Sequence, residues 1–119
     1  MDKKRQLGDQ GEEIGVSYLQ SKGYVILERN YRTNKGEIDI IAYKEDVVFF
    51  IEVKTRSSNI HGYPEEAVTP RKLIKMQAAA DSFLNKQIDR YYTWQFDILA
   101  ITMQDPNHPE IEHIENVIS

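Results

Sequence analysis

The sequence predicts an α/β domain: a mixed five-stranded sheet flanked by helices, in the order αβββαββ. Three observations carry that reading. Two stretches place apolar residues at helical spacing, and five others are rich in Val, Ile, Phe and Tyr with strand-like patterning. The first three strand-like runs are separated only by short turns, which suits an antiparallel meander. A helix stands between the third and fourth runs, and such a crossover brings the fourth strand parallel to the third, with the fifth returning as a hairpin.

The first helix is expected from Arg5 to Lys22, where Leu7, Ile14, Tyr18 and Leu19 share a face and Gly23 supplies the stop. Gly8, Gly11 and Gly15 each weaken that helix by about 1 kcal/mol relative to Ala, so close packing or backbone approach must compensate. YVILERNYR reads as the first strand, TNKG as its turn, EIDIIAY as the second strand, KED as a turn and VVFFIEVKT as the third strand. Residues 56–68 form a polar loop containing Gly62 and Pro64. Thr69 then offers an N-cap and Pro70 a first helical position, opening a helix to about Lys86 with Ile74, Ala78 and Phe83 on its apolar face. YYTWQFDILAIT is the fourth strand, DPNHP a turn and EIEHIENVI the last strand.

A chain of 119 residues suits one domain spanning residues 1–119, with a single core. It has no cysteine, which excludes disulfides, thiolate metal sites and a cysteine nucleophile, and fits the expected cytoplasmic location. No apolar run approaches the roughly 20 residues of a membrane helix, and MDKKRQLGDQ lacks the apolar segment of a secretory signal. The net charge is −4, unevenly spread: all 15 Lys and Arg precede Tyr91 with 14 of the carboxylates, while five carboxylates follow. Nucleic acid is a partner that this distribution permits, and carboxylates neutralised by a divalent cation would make the first part more positive still.

Within GEIDIIAYKEDVVFFIEVKTR, residues 36–56, three charges interrupt the apolar strands: Asp39, Glu52 and Lys54. Strand alternation puts Glu52 and Lys54 on one side and Phe49, Ile51 and Val53 on the other. Asp39 is expected on the face opposite Ile38 and Ile40, and the KED hairpin can bring it beside Glu52. Two carboxylates at such spacing repel, and a hard divalent cation relieves the repulsion, so Mg²⁺ or Mn²⁺ and phosphodiester hydrolysis suit the group. Lys54 could orient the attacking water or stabilise charge on the phosphate, and the Val53 carbonyl could add a backbone ligand. A sheet-edge ion pair is the competing reading of the same three residues. Burial of a Glu-x-Lys set within the most apolar strand weighs against it.

These motifs resemble a known family. Gly36-Glu37-Ile38-Asp39 followed by Phe50-Ile51-Glu52-Val53-Lys54-Thr55-Arg56 looks like the signature of PD-(D/E)xK nuclease-like domains. With GDQGEEIGVSYLQSKGY, RNYRTNKGEIDIIA, AVTPRKLIKMQAAADSFL and FDILAI, nearly the whole chain resembles the YraN family of small bacterial proteins. The resemblance implies a restriction-endonuclease-like fold, similar to that of Holliday junction resolvases. It also implies a divalent-metal-dependent endonuclease acting on DNA, branched or structured DNA included, with Asp39, Glu52 and Lys54 as the catalytic motif. Glu12 matches a helix-one glutamate that completes the acidic cluster in resolvase-like relatives, with Glu13 the competing choice. Lys75 and Gln77 lie where some relatives carry an auxiliary polar residue. Symmetric junction cleavage needs two sites, so a homodimer is what the resemblance suggests.

Around these residues, Glu37 falls on the strand face of Asp39 as a supporting acid or an exposed turn residue. Arg29, Arg32, Lys35, Arg56, Arg71, Lys72 and Lys75 are candidate phosphate contacts or a solvated basic surface. Arg71 and Lys72 oppose the dipole at their helix N-terminus, which a bound phosphate would offset. Tyr24, Tyr31, Tyr43, Tyr63, Tyr91, Tyr92 and Trp94 could stack bases, although strand packing accounts for most of them. His61, His108 and His113 read as surface residues with no zinc spacing. Asp97 reads as a polar strand-end residue, with an approach to the site from strand four as the alternative. A catalytically inactive nucleic-acid-binding module and a protein-interaction adaptor remain open on the same fold.

Overall fold

The structure, a computed structural model, describes residues 3–58, 66, 68–87 and 93–118. Its elements are α1 (Lys3–Ser21), β1 (Val25–Arg32), β2 (Glu37–Lys44), β3 (Val47–Arg56), α2 (Pro70–Asn85), β4 (Trp94–Thr102) and β5 (Glu110–Ile114). The sheet order is β1-β2-β3-β4-β5, with β3 and β4 parallel and the other neighbours antiparallel. The expected mixed α/β architecture and the order αβββαββ are therefore present, and both are consistent with a restriction-endonuclease-like fold.

Local chemistry explains where the elements start and stop. Gly23 ends α1 at φ 92°, a left-handed conformation that glycine adopts without strain. Glu45 and Asp46 both take positive φ, 50° and 67°, which gives the two-residue β2–β3 turn the twist a tight hairpin requires. Thr69 caps α2, its hydroxyl accepting from the Lys72 N–H at 3.2 Å, with Pro70 at the first helical position. The last strand is shorter than expected. It stops at Ile114, and the chain beyond runs irregularly along β4, where the Val117 N–H donates to the Phe96 carbonyl at 2.8 Å. Gly62, Pro64, His61, Tyr63, Tyr91 and Tyr92 lie outside the described residues.

The core lies on both faces of the sheet. On the α1 side, Val16 and Leu19 meet Ile40, Phe49, Ile51, Leu99 and Ile101. On the α2 side, Met76, Ala79, Ala80 and Phe83 meet Ile38, Ile41, Val48, Phe50 and Phe96. The glycines of α1 divide by role. A Cβ on Gly11 would stand 1.9 Å from Thr55 Oγ1, and one on Gly15 2.9 Å from Leu99, whereas Gly8 has nothing within 4 Å. Close packing thus accounts for Gly11 and Gly15 but not for Gly8. At the other helix, a Cβ on Gly36 would lie 2.0 Å from the Lys75 carbonyl, so the backbones of α2 and the β1–β2 turn touch there. None of the helices among the described residues is long and apolar enough to cross a membrane.

One expectation about β2 fails. A two-residue period puts Ile38 and Ile40 on one face, but Ile38 packs on the α2 side and Ile40 on the α1 side. The alternation breaks at Asp39. The neighbouring strand is irregular at the same level, with Asn30 at φ 51° between the paired residues Arg29 and Tyr31. The β2–β3 pairing runs from Lys44–Val47 to Ile40–Ile51, and at the next position the Asp39 side chain takes the Val53 N–H instead.

Candidate functional site

Asp39 and Glu52 come together where β2 and β3 stop pairing. Asp39 Oδ2 accepts from the Val53 N–H at 2.8 Å, which fixes its carboxyl beside β3. Glu52 is buried, and the Asp39 carboxyl reaches it closely enough to share a hydrogen bond. Burial first, then that hydrogen bond and the charge of Glu52, push the Asp39 pKa up to about 8; the Val53 N–H and Lys72 pull the other way. Without a metal, Asp39 therefore keeps its proton beside Glu52 over much of the neutral range.

The remaining oxygen matters most for ligand chemistry. Glu52 Oε2 is fully buried and accepts no hydrogen bond in bonding geometry, while the Lys72 ammonium presses against it as an ion pair. A buried acceptor of this kind calls for a cation. Asp39, Glu52 and Val53 line a cleft of about 620 Å³, and an oxygen-rich pair facing such a space fits a hard divalent cation.

The cleft gathers residues from four elements. Glu12 lines it from α1, with Oε1 accepting from Asn30 Nδ2 at 2.8 Å and Arg29 Nη2 at 3.3 Å. Glu13 is exposed, does not line the cleft and pairs with Arg29 at 2.8 Å, so Glu12 is the glutamate that faces the site. Lys54 lines the cleft and is exposed, and its side chain makes no hydrogen bond or ion pair with another described residue. Arg71, Lys72 and Lys75 line it from α2, and Glu37 joins from β2 while pairing with Arg32 at 3.2 Å.

Other expected residues fall elsewhere. Arg32 and Lys35 line a neighbouring hollow of about 280 Å³ that shares Glu37 and Lys75 with the cleft. Arg56 does not line the cleft; its carbonyl accepts from Met103 and its Nε is buried. Gln77 is exposed on α2 away from the cleft. Tyr24 packs edge-on against Phe49 and Tyr31 against Phe83, with centroids 5.0 and 5.7 Å apart, so both serve packing; Tyr43 packs on the α2-side core and Trp94 stays exposed.

Asp97 and His113 need correction. Asp97 is no strand-end polar residue and does not approach the cleft: it is fully buried, next to Ile98, the β4 residue that pairs with Glu52. Its Oδ1 accepts from the Asn116 N–H and Gln95 Nε2, both at 2.9 Å, and its Oδ2 lies 2.7 Å from His113 Nε2. His113, with a side chain only 12% exposed, is therefore not the surface residue expected: its ring meets Asp97 and lies beside the Tyr24 ring, with centroids 6.0 Å apart. His108 is exposed and pairs with Asp105. Asp97, His113 and Glu115 form a grouping, separate from the cleft, that could hold a metal ion: their ligand atoms lie within 4.8 Å of one another.

The cleft residues that sequence reasoning passed over are Arg5, Gly8 and Asp9 on α1, Thr55 on β3 and Met76 on α2; those of α1 form a pattern. Their signal was available, since Arg5, Gly8, Asp9 and Glu12 recur at three- and four-residue spacing along one face of α1. Lys72 was foreseen as a phosphate contact, but its pairing with Glu52 was not.

Comparison with known proteins adds the lineage. The uncharacterised protein family UPF0102 matches residues 11–101, a span that includes Glu12, Asp39, Glu52, Lys54 and Lys72. The chain is 45% identical to a UPF0102 protein of Syntrophomonas wolfei over 112 residues, covering 94% of this chain and 96% of that protein. It is 41% identical to one from Alkaliphilus oremlandii over 118 residues, 98% of each, and 43% identical to one from Geotalea uraniireducens over 94% of this chain and 88% of that protein. The YraN-like motifs and this near full-length similarity agree: the chain belongs to the UPF0102 family.

Proposed function

We propose that the chain is a divalent-metal-dependent endonuclease acting on DNA, with branched or structured DNA among its substrates. The observation that carries this reading is the meeting of Asp39 and Glu52, from adjacent strands, in a cleft that also presents Lys54, Arg71 and Lys75. Asp39 and Glu52 would hold Mg²⁺ or Mn²⁺, with Val53 beside them and the second oxygen of Glu12 available from α1. A bound cation supplies a Lewis acid for the phosphate and charge to offset the two carboxylates.

The chain's own residues do the rest. Lys54, exposed and unpaired among the described residues, can meet the attacking water or the phosphate from the strand that carries Glu52. Arg71 and Lys75 orient the phosphodiester from the α2 side. Asn30 and Arg29 hold Glu12 in place, so the acidic face of α1 is fixed before substrate arrives.

The Lys72–Glu52 ion pair favours a second reading, a module that binds DNA without cleaving it because a lysine already neutralises its carboxylates. The two separate in one assay. Purified protein is incubated with linear, single-stranded, flapped and four-way DNA, with Mg²⁺, with Mn²⁺ and with chelator. Metal-dependent cleavage of any of these supports the enzyme. Salt-sensitive binding with no cleavage under any metal selects the binding module.

A further inference from the structure

Lys72 reaches Glu52 from the first turn of α2, where its own N–H is held by the Thr69 cap. Helix position is fixed as well, because the Lys75 carbonyl lies against Gly36 with no room for a side chain between them. The lysine is therefore a cation on a short tether, aimed at a buried carboxylate. Its side chain is nevertheless 45% exposed, against 9% for that of Glu52, so it has a solvent route out. Glu52 Oε2, the atom it covers, is fully buried and accepts no hydrogen bond in bonding geometry among the described residues.

Building on the metal-site reading, we infer that Lys72 is an exchangeable counter-cation: it fills the cation position of the metal-free site and is displaced when a divalent ion binds. An ammonium and a divalent cation cannot both occupy the same face of Oε2. Displacement sends the lysine into the cleft beside Arg71 and Lys75, where a phosphate of the nucleic acid is its natural partner. Metal loading thereby adds a cation to the phosphate-binding wall. By reciprocity, a phosphate that draws Lys72 away makes the site better for metal. The metal-free protein keeps its carboxylates neutralised, and its cleft is one cation short until the metal arrives.

The test reads metal binding and needs no cleavage. Mn²⁺ is titrated into wild type, Lys72→Met, Lys72→Arg and Asp39→Ala without nucleic acid, with free Mn²⁺ followed by electron paramagnetic resonance. The titration is run under argon at about pH 8.5, where Asp39 is mostly ionised and proton competition for the metal is reduced. Lys72→Met is expected to bind roughly tenfold more tightly than wild type, the scale of one charge-assisted contact. Lys72→Arg retains a cation and is expected to stay close to wild type. Equal or weaker binding by Lys72→Met, with binding lost in Asp39→Ala, overturns the exchange while leaving the metal site intact. Absence of specific Mn²⁺ binding in every protein overturns both the exchange and the metal-site reading beneath it.

Discussion

Asp39 carries an ionisable group in surroundings that oppose its charge. Burial and Glu52 raise its pKa from 3.8 to about 8, so the folded protein holds a proton that the unfolded chain gives up. The sign of the linkage follows. Stabilisation by that retained proton is complete below about 3.8 and is lost as pH rises to about 8. Asp39→Asn keeps the shape and removes the charge. It is expected to be more stable than the metal-free wild type at pH 8 and nearly equal to it at pH 4, measured by urea unfolding in chelator. A wild type whose stability relative to the variant does not fall with pH contradicts the retained proton. At this scale the sequence was informative where a local period decides. Glu52 lines the cleft with Lys54 and lies away from Ile51, as alternation requires. It was silent about Lys72 on Glu52, because that contact depends on where α2 lands after a loop. It misled at Ile38 and Ile40, because an irregularity shared with Asn30 reverses the alternation there.

The two helices are set against the sheet by glycines, and these make the elements testable separately from the chemistry. Gly36→Ala forces a methyl into the Lys75 carbonyl, backbone against backbone, so α2 must shift. A loss of about 2 kcal/mol or more is expected, with Lys72 and Lys75 moved from the cleft. Gly8→Ala meets nothing within 4 Å and replaces a poor helix former, so a gain of up to about 1 kcal/mol is expected. Thermal or urea unfolding of the two variants checks both signs; similar losses would contradict the packing. Element order and strand directions were legible because turn residues, the Thr69-Pro70 helix start and the long crossover each have local signals. The end of β5 was not. Asp97 captures the Asn116 N–H and pulls the chain out of the sheet, an interaction between residues 19 positions apart. No local pattern reports it, nor the burial of His113 against Asp97 and Tyr24.

For the whole molecule, charge distribution outweighs net charge. The chain is acidic overall at −4, yet the cleft wall formed by α2 presents Arg71, Lys72 and Lys75. Replacing Arg71 and Lys75 together by Glu is expected to weaken DNA binding and lower the salt-dependence slope by about two, one for each lost phosphate contact. Fluorescence anisotropy over a range of salt concentrations gives both quantities, and an unchanged slope would place the DNA elsewhere. The central claim concerns the carboxylate pair, and cleavage tests it most directly. Wild type and Asp39→Ala, purified in parallel, are incubated with labelled four-way and flapped DNA in Mn²⁺. Metal-dependent cleavage by the wild type that disappears in Asp39→Ala is the predicted result; equal nicking by both, or none by either, contradicts it.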